Sequence, residues 1–265
     1  MPRLEVIDSR SPNLARMNNY LLGGKDHYSA DRVACERLVQ IASEAPGVAQ
    51  AAHRFLLRVT SHLAREHRVR QYVVFGAGLP TPVGVHQVAR RNQVGVFTVY
   101  VDHDPLALVH GRALWEDRRT LIMRATQAES RSLLRSAAVH EVIDFASPVA
   151  VFLVSGLHLL PENAHPAEVL QQTAGVLAPG SFIAASHLVS EDAEVRREAD
   201  ALLREAAGGR WGRVRARADV EAFFDGLHLV APGLVDVHQW RPGSDRAAGG
   251  GSLRWAEHGA VAVVR

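Results

Sequence analysis

The period of the apolar positions changes near residue 70. Between residues 30 and 66 they recur every three or four positions, which predicts helices over 30–43 and 48–66. In the second, Phe55, Leu56, Val59 and Leu63 fall on one face. The first thirty residues are polar, with Asn13, Asn18, Asn19, Gly23 and Gly24, and read as a loop or short helix followed by a turn. From residue 71 short β-type runs begin. Tyr72-Val73-Val74-Phe75 predicts a strand ending in Gly76-Ala77-Gly78. Thr81 and Pro82 read as the N-cap and first residue of a helix reaching about residue 91. Strands are predicted over 94–101, 120–125, 149–155 and 181–186, with helices over 106–115, 131–139, 166–177 and 189–207. A short helix at 220–224 and strands over 234–240 and 259–264 follow, the two strands joined by a Gly-, Ala- and Ser-rich connector, 241–252, that reads as mobile.

β-type runs alternating with helices predict an α/β fold, a parallel sheet covered by helices on both faces. The last two strands, lacking an intervening helix, predict an antiparallel pair at one edge. No repeat or long linker divides the chain. A single domain over 1–265 is expected, with an N-terminal helical lid region, 1–68, and a Rossmann-like core, 69–265.

With 265 residues and 47% hydrophobic content, one sizeable core is affordable. The net charge is +2 and the signs are mixed. The basic run at 210–217 alternates with apolar residues and reads as a solvated face, so no nucleic-acid partner is expected. The longest apolar run, 149–160, falls short of the roughly 20 residues of a membrane span and is broken by Ser155, Gly156 and His158. Cys35, the only cysteine, sits in an apolar helical pattern and reads as core. With no leader pattern, a cytoplasmic protein is expected. The fourteen histidines are scattered without an HExxH pattern, and no metal site is expected. Lys25 is the one lysine in a chain whose other basic residues are arginines, a hint that an ammonium is needed there.

Candidate chemistry collects at predicted strand ends, where open α/β sheets bind ligands. Gly76 and Gly78 permit a sharp turn and close approach of a ligand. A dinucleotide fingerprint would place a third glycine where Thr81 stands, and Pro80 and Pro82 lack the N–H groups that cradle a pyrophosphate. A phosphate-free ligand such as S-adenosylmethionine suits the loop better; a plain strand-to-helix turn is the alternative. Asp102, ending the next strand, can accept ribose hydroxyl protons. Asp104-Pro105 reads either as part of that site or as a helix cap. His158 and His187 follow strands and could act as bases or as hydrogen-bonded structural residues. Arg54 could hold a substrate carboxylate or lie solvated. Val154-Ser155-Gly156 lacks the first glycine of a nucleophile elbow.

Residues 15–32, with Asn18-Asn19-Tyr20 and Gly23-Gly24-Lys25-Asp26, resemble the N-terminal signature of an actinobacterial S-adenosyl methyltransferase family formerly catalogued as a domain of unknown function. Gly76 to Thr81 with His86 resembles its cofactor loop, and Tyr100 to Pro105 its second motif. Leu157-His158, Pro232-Gly233-Leu234 and Trp240-Arg241-Pro242 extend the likeness over essentially the whole chain. The resemblance implies a class I S-adenosylmethionine methyltransferase fold: a three-layer sandwich with a mostly parallel seven-stranded sheet and an antiparallel C-terminal hairpin. It implies S-adenosyl-L-methionine as cofactor, held by Tyr20, Gly23, Lys25, Asp26, Gly76, Ala77, Gly78, Asp102, His103, Thr126 and Ser155. Lys25 would pair with the cofactor carboxylate and Asp26 with its ammonium, in a lid over the pocket. His158 and Tyr20 would be catalytic. A small-molecule acceptor in secondary metabolism is the implied substrate, and a homodimer the implied assembly. Two positions depart from the family pattern: Val74 and Thr126 stand where carboxylates are usual. The alternative is a methyltransferase fold used for a cyclisation or rearrangement, or for binding the cofactor or a partner without catalysis.

Overall fold

A computed structural model describes residues 7–160, 164–208, 211–242 and 254–265. The connector expected to be mobile lies outside these residues from position 243 onward, as does Arg210 of the basic run.

Three helices precede the sheet: α1 (Leu14–Leu21), α2 (Ser29–Ile41) and α3 (Ala45–Glu66). Asn13 caps α1, its side chain accepting from the Ala15 and Arg16 amides. The chain then alternates: β1 (Gln71–Phe75), α4 (Val85–Asn92), β2 (Phe97–Asp102), α5 (Pro105–Leu114) and β3 (Thr120–Arg124). Two short helices, α6 (Ser130–Leu134) and α7 (Ala137–His140), lead to β4 (Ala150–Leu153). There follow α8 (Pro166–Ala174), β5 (Phe182–Val189), α9 (Ala193–Ala206) and α10 (Arg217–Glu221). Three strands close the chain: β6 (His228–Leu229), β7 (Val235–Asp236) and β8 (Ala256–Val263).

The sheet has eight strands in the order β3-β2-β1-β4-β5-β8-β6, with β7 also on β8. The first five are parallel, and β8 runs antiparallel to β5. β6 and β7 pair with different halves of β8, so together they fill one edge position. This reconciles eight strands with the seven positions expected. Strand order reverses between β1 and β4, and the carboxyl ends of β1, β2, β4 and β5 share one rim.

Helices α3, α4 and α5 cover one face, where Phe55, Val59 and Leu63 pack with Val74, Tyr100 and Phe152. The other face buries Val73, Val99, Val151 and Ile183 under α6, α7, α8 and α10. A third apolar cluster joins α1, α2 and α9 through Met17, Cys35, Leu38 and Leu203 to Leu188, Trp211 and Trp255. Cys35 is fully buried there, as its spacing suggested, and burial pushes its thiol pKa up to about 12. Helix α3 belongs to the sheet's own covering layer, while α1, α2 and the first turn of α3 reach over the strand rim. No helix among the described residues is long and apolar enough to cross a membrane.

Several expected boundaries shift. Thr81 and Pro82 do not start α4. The helix begins three residues later, capped at Gly84, whose amide is bonded by the Gln87 side chain, and Thr81 instead donates to the Val83 carbonyl. The expected helix over 131–139 is broken after Leu134 into two pieces. Strand β5 extends through Val189, so the helix expected from 189 starts at Ala193 under an Asp192 cap. Of the strand expected over 234–240 only Val235–Asp236 pairs, and the final strand starts earlier than expected, at Ala256.

Candidate functional site

A cavity of about 650 Å³ opens over the strand rim, within the roughly 300–1,000 Å³ of small-molecule and cofactor sites. It has two ends. One is lined by Gly76, Gly78, Asp102, His103, Thr126 and Gln127, from the loops after β1, β2 and β3. The other is lined by Leu188, Trp211, Trp255 and Glu257, with Ser155 and His158 from the turn after β4. α1 closes it from above with Asn13 to Asn18.

At the first end, Gly76 and Gly78 adopt left-handed backbone, φ +69° and +64°. A side chain at Gly76 would collide with the Gln127 amide, while space is open where a Cβ on Gly78 would project. The loop thus presents bare backbone to the cavity. Asp102 ends β2. Its Oδ2 accepts the Gly78 amide at 2.8 Å, and its Oδ1 accepts the His103 and Asp104 amides at 2.7 and 2.9 Å. These bonds hold the carboxylate rigid and leave lone pairs for a ligand's hydroxyls. Burial raises its pKa above the usual carboxylate value, while the Asp104 and Gly78 amides and His103 act the other way. His103 Nδ1 lies 3.7 Å from Asp102 Oδ1.

Asp104 does cap α5, accepting the Ala107 amide, with Pro105 as the first helical residue. Its other oxygen accepts from Asn13 Nδ2 at 2.8 Å, tying α1 to the loop after β2. Thr126 donates its hydroxyl to Glu129 at 2.8 Å, and the same carboxylate accepts the Thr126 amide. These bonds hold the Glu129 pKa below the usual value. The charge missing at position 126 therefore stands three residues on, bound to Thr126. Val74 is buried in the apolar core and, with Ala77, lines an adjoining hollow of about 70 Å³ beside α3.

The residues of the N-terminal signature are placed differently. Gly23, with φ +81°, ends α1, its amide bonded to the Tyr20 carbonyl and that of Gly24 to the Asn19 carbonyl. Lys25 is exposed, and Asp26 lies 3.9 Å from His110 Nδ1. Tyr20 packs its ring edge-on to His27. None of Tyr20, Gly23, Lys25 and Asp26 is in the cavity wall, whereas Arg16 is. Its guanidinium is spent on a buried ion pair with Asp31, 2.8 Å, and on the Asp8 and Ser11 carbonyls.

At the second end, His158 is buried and its Nδ1 accepts the Leu188 amide at 3.3 Å. A backbone amide only donates, so in the neutral ring the proton sits on Nε2. Burial, with Arg215 adding, lowers its pKa to about 3. His158 is thus a neutral hydrogen-bond donor. His187 points away from this cavity. It packs between Arg215 and Phe223, with burial holding its pKa well below the usual value. His86 is equally buried, bonded to the Tyr100 hydroxyl at 2.9 Å. Arg54 lines neither cavity.

Ser155 stands at φ +50°, uncommon for a residue with a side chain. Its amide donates to Ser186 Oγ at 2.7 Å, and its hydroxyl donates to Glu257 Oε1 at 2.8 Å. Ser186 donates to the same oxygen. Glu257 is 3% exposed, and burial raises its pKa to about 7, with Asp236 acting the same way and the two serines opposing. Sequence reasoning missed Glu257 and Gln127. The one signal for Glu257 was a lone acidic residue just ahead of the final apolar run. Gln127 carried none.

The fold is that of a class I S-adenosylmethionine methyltransferase. The chain belongs to the S-adenosyl methyltransferase family, whose model matches residues 2–265. Its cofactor is accordingly S-adenosyl-L-methionine. Two solved structures are similar over their full length. A Thermobifida fusca protein provisionally assigned as a methyltransferase is 30% identical, with a TM-score of 0.88 over 97% of both chains. A DUF574 family protein of Streptomyces avermitilis is 31% identical, also at 0.88, over 98% of this chain and 100% of the other. Among curated proteins none matches the chain.

Proposed function

We propose that the protein transfers a methyl group from S-adenosylmethionine to a small-molecule acceptor that enters the same cavity. The observation that carries this reading is the cavity's continuity. One 650 Å³ space joins the Gly78–Asp102 end to an apolar end holding Trp211, Trp255 and Glu257. The residues fit the cofactor: Asp102 is fixed to accept ribose hydroxyls, Gly78 leaves open space beside its backbone, and Gln127 offers an amide to a base edge. When bound, the cofactor supplies an electrophilic methyl group on a sulfonium. The chain's own part is to position both molecules and exclude water. Asp102 at the end of β2 and Ser155 in the turn after β4 flank the switch point, about two strand spacings or roughly 10 Å apart, and span the width of the site. His158 stands in the cavity wall as a neutral ring and does not serve as the base that takes the acceptor's proton.

A part for Tyr20, Gly23, Lys25 and Asp26 requires the turn after α1 to fold inward. Lys25→Ala tests it. Weaker binding of S-adenosylhomocysteine supports the lid, and an unchanged Kd leaves these residues as helix cap and surface. The function itself is tested by following S-adenosylhomocysteine formation from S-adenosylmethionine against a panel of hydroxyl, amine and carboxyl acceptors. Turnover supports methyl transfer. A protein that binds the cofactor but turns over with no acceptor, and instead rearranges or cyclises one, supports the non-methylating reading.

A further inference from the structure

The apolar end of the cavity contains one charge that the fold does not neutralise. Leu159, Leu160, Leu188, Leu203, Trp211 and Trp255 line it. Glu257 stands among them. It faces Leu188 directly across the β5–β8 ladder, so both side chains leave the same face of the sheet. Both hydroxyl bonds, from Ser155 and Ser186, fall on Oε1. Oε2 takes no hydrogen bond among the described residues, yet it is not sealed into the core.

No counter-ion reaches it from the described wall. The cavity is lined by five carboxyl groups, Asp8, Asp102, Asp104, Glu205 and Glu257, against one guanidinium. That guanidinium, on Arg16, is engaged by Asp31 and two carbonyls. His158, placed near Glu257 by its bond to Leu188, is neutral. A buried carboxylate without a partner is costly, and the cost is relieved when a ligand brings the opposite charge. Trp211 and Trp255 line the same cavity, and indole rings attract cations.

We propose that Glu257 Oε2 is the docking point for the ammonium of an acceptor that is otherwise apolar, so that the substrate class is a hydrophobic primary or secondary amine. The proposal rests on the methyltransferase reading and names the acceptor for it. Within the pair one proton passes from nitrogen to oxygen: an ammonium and a carboxylate become a neutral amine and a carboxylic acid. The amine's lone pair is thereby freed, which an ammonium lacks. Glu257 suits this exchange because burial and Asp236 on the edge strand both favour its protonated form, while His158 adds no positive charge to oppose it.

The test is calorimetric titration of the wild type and Glu257→Gln with 3-phenylpropylamine and with its neutral isostere 3-phenylpropan-1-ol, with and without S-adenosylhomocysteine, above the titration of Glu257. The amine is expected to bind the wild type about tenfold or more tightly than the alcohol, a preference that Glu257→Gln abolishes. Equal binding of the two probes by the wild type, or a preference that survives in Glu257→Gln, overturns the proposal. The wild-type comparison stands even where the variant fails to fold. Absence of S-adenosylhomocysteine binding would count against the cofactor reading, while the arms run without it still decide the role of Glu257.

Discussion

Ser155 and Glu257 lie 102 positions apart in the chain and meet through a 2.8 Å hydrogen bond across β5. Ser186, on the strand between them, bonds both. The contact fixes the left-handed turn at Ser155 and aims the carboxyl into the cavity. Ser186→Ala removes the acceptor of the Ser155 amide and one donor to Glu257. Leaving buried groups unsatisfied costs about 1–3 kcal/mol each, so a loss of about 2 kcal/mol is expected in urea unfolding. A variant as stable as the wild type would show that the triad does not hold the turn.

Glu257 sets a pH dependence of stability. Its native pKa of about 7 lies above its ordinary value of 4.5. The folded state therefore keeps a proton that the unfolded chain releases. The stability this gives is fully present below 4.5 and is lost as pH rises through about 7. Relative to Glu257→Gln, which cannot ionise, the wild type should lose on the order of 3 kcal/mol across that window. Denaturant titrations at a series of pH values check it. A difference that does not vary with pH would contradict the environment described for this carboxyl.

Buried histidines act in the opposite sense. Burial lowers His158 to about 3 and His86 to about 4, with Arg215 and Arg90 adding to the effect. Both are neutral when folded, so the unfolded chain binds protons first as pH falls below the ordinary value of 6.5. Their contribution is present above that value and is lost on acidification. Wild-type melting temperature should fall as pH drops from about 6.5, and less so in His86→Gln, which keeps a polar side chain near Tyr100. Identical acid profiles for the two proteins would argue against a buried neutral His86.

Asn13 links the N-terminal helices to the loop after β2. It caps α1 and donates to Asp104. Asn13→Ala should cost about 1 kcal/mol for the cap and speed hydrogen exchange across Leu14–Leu21. Asn13→Asp keeps the cap but sets two carboxylates together, so exchange should rise with little loss of capping. Equal protection in all three proteins would mean that α1 is held by packing alone.

The parallel strands were legible because β1 to β5 are apolar runs bounded by turn residues, and burial on both faces makes such runs plain, whereas their order in the sheet came from the structure. The C-terminal edge was not legible. β6 and β7 contribute two residues each, too few for a period, and β8 begins with Ala256-Glu257-His258, whose polar members hide a strand. Thr81-Pro82 has a helix-start pattern, yet Gly84 and Gln87 make the cap, and nothing local decides between them. At the site, Gly76, Gly78 and Asp102 could be placed because each follows a strand, and topology brings strand ends to one rim. Glu257 reaches the same rim from an antiparallel strand that starts there, a relation visible only once β8 is seated beside β5. Lys25 stood out by composition, but composition does not reveal direction, and the structure places it in solvent.

We propose that Asp102 and the Gly76–Gly78 turn form a working cofactor site despite Val74 and Thr126. Calorimetric titration of S-adenosylhomocysteine into the wild type and Asp102→Ala tests it most directly. Binding on the order of micromolar is predicted for the wild type, weakened about ten- to a hundredfold in the variant, which loses hydrogen bonds to a charged group worth about 1.5–3 kcal/mol. A folded wild type that shows no heat of binding at millimolar concentration, or a variant that binds equally well, would contradict it.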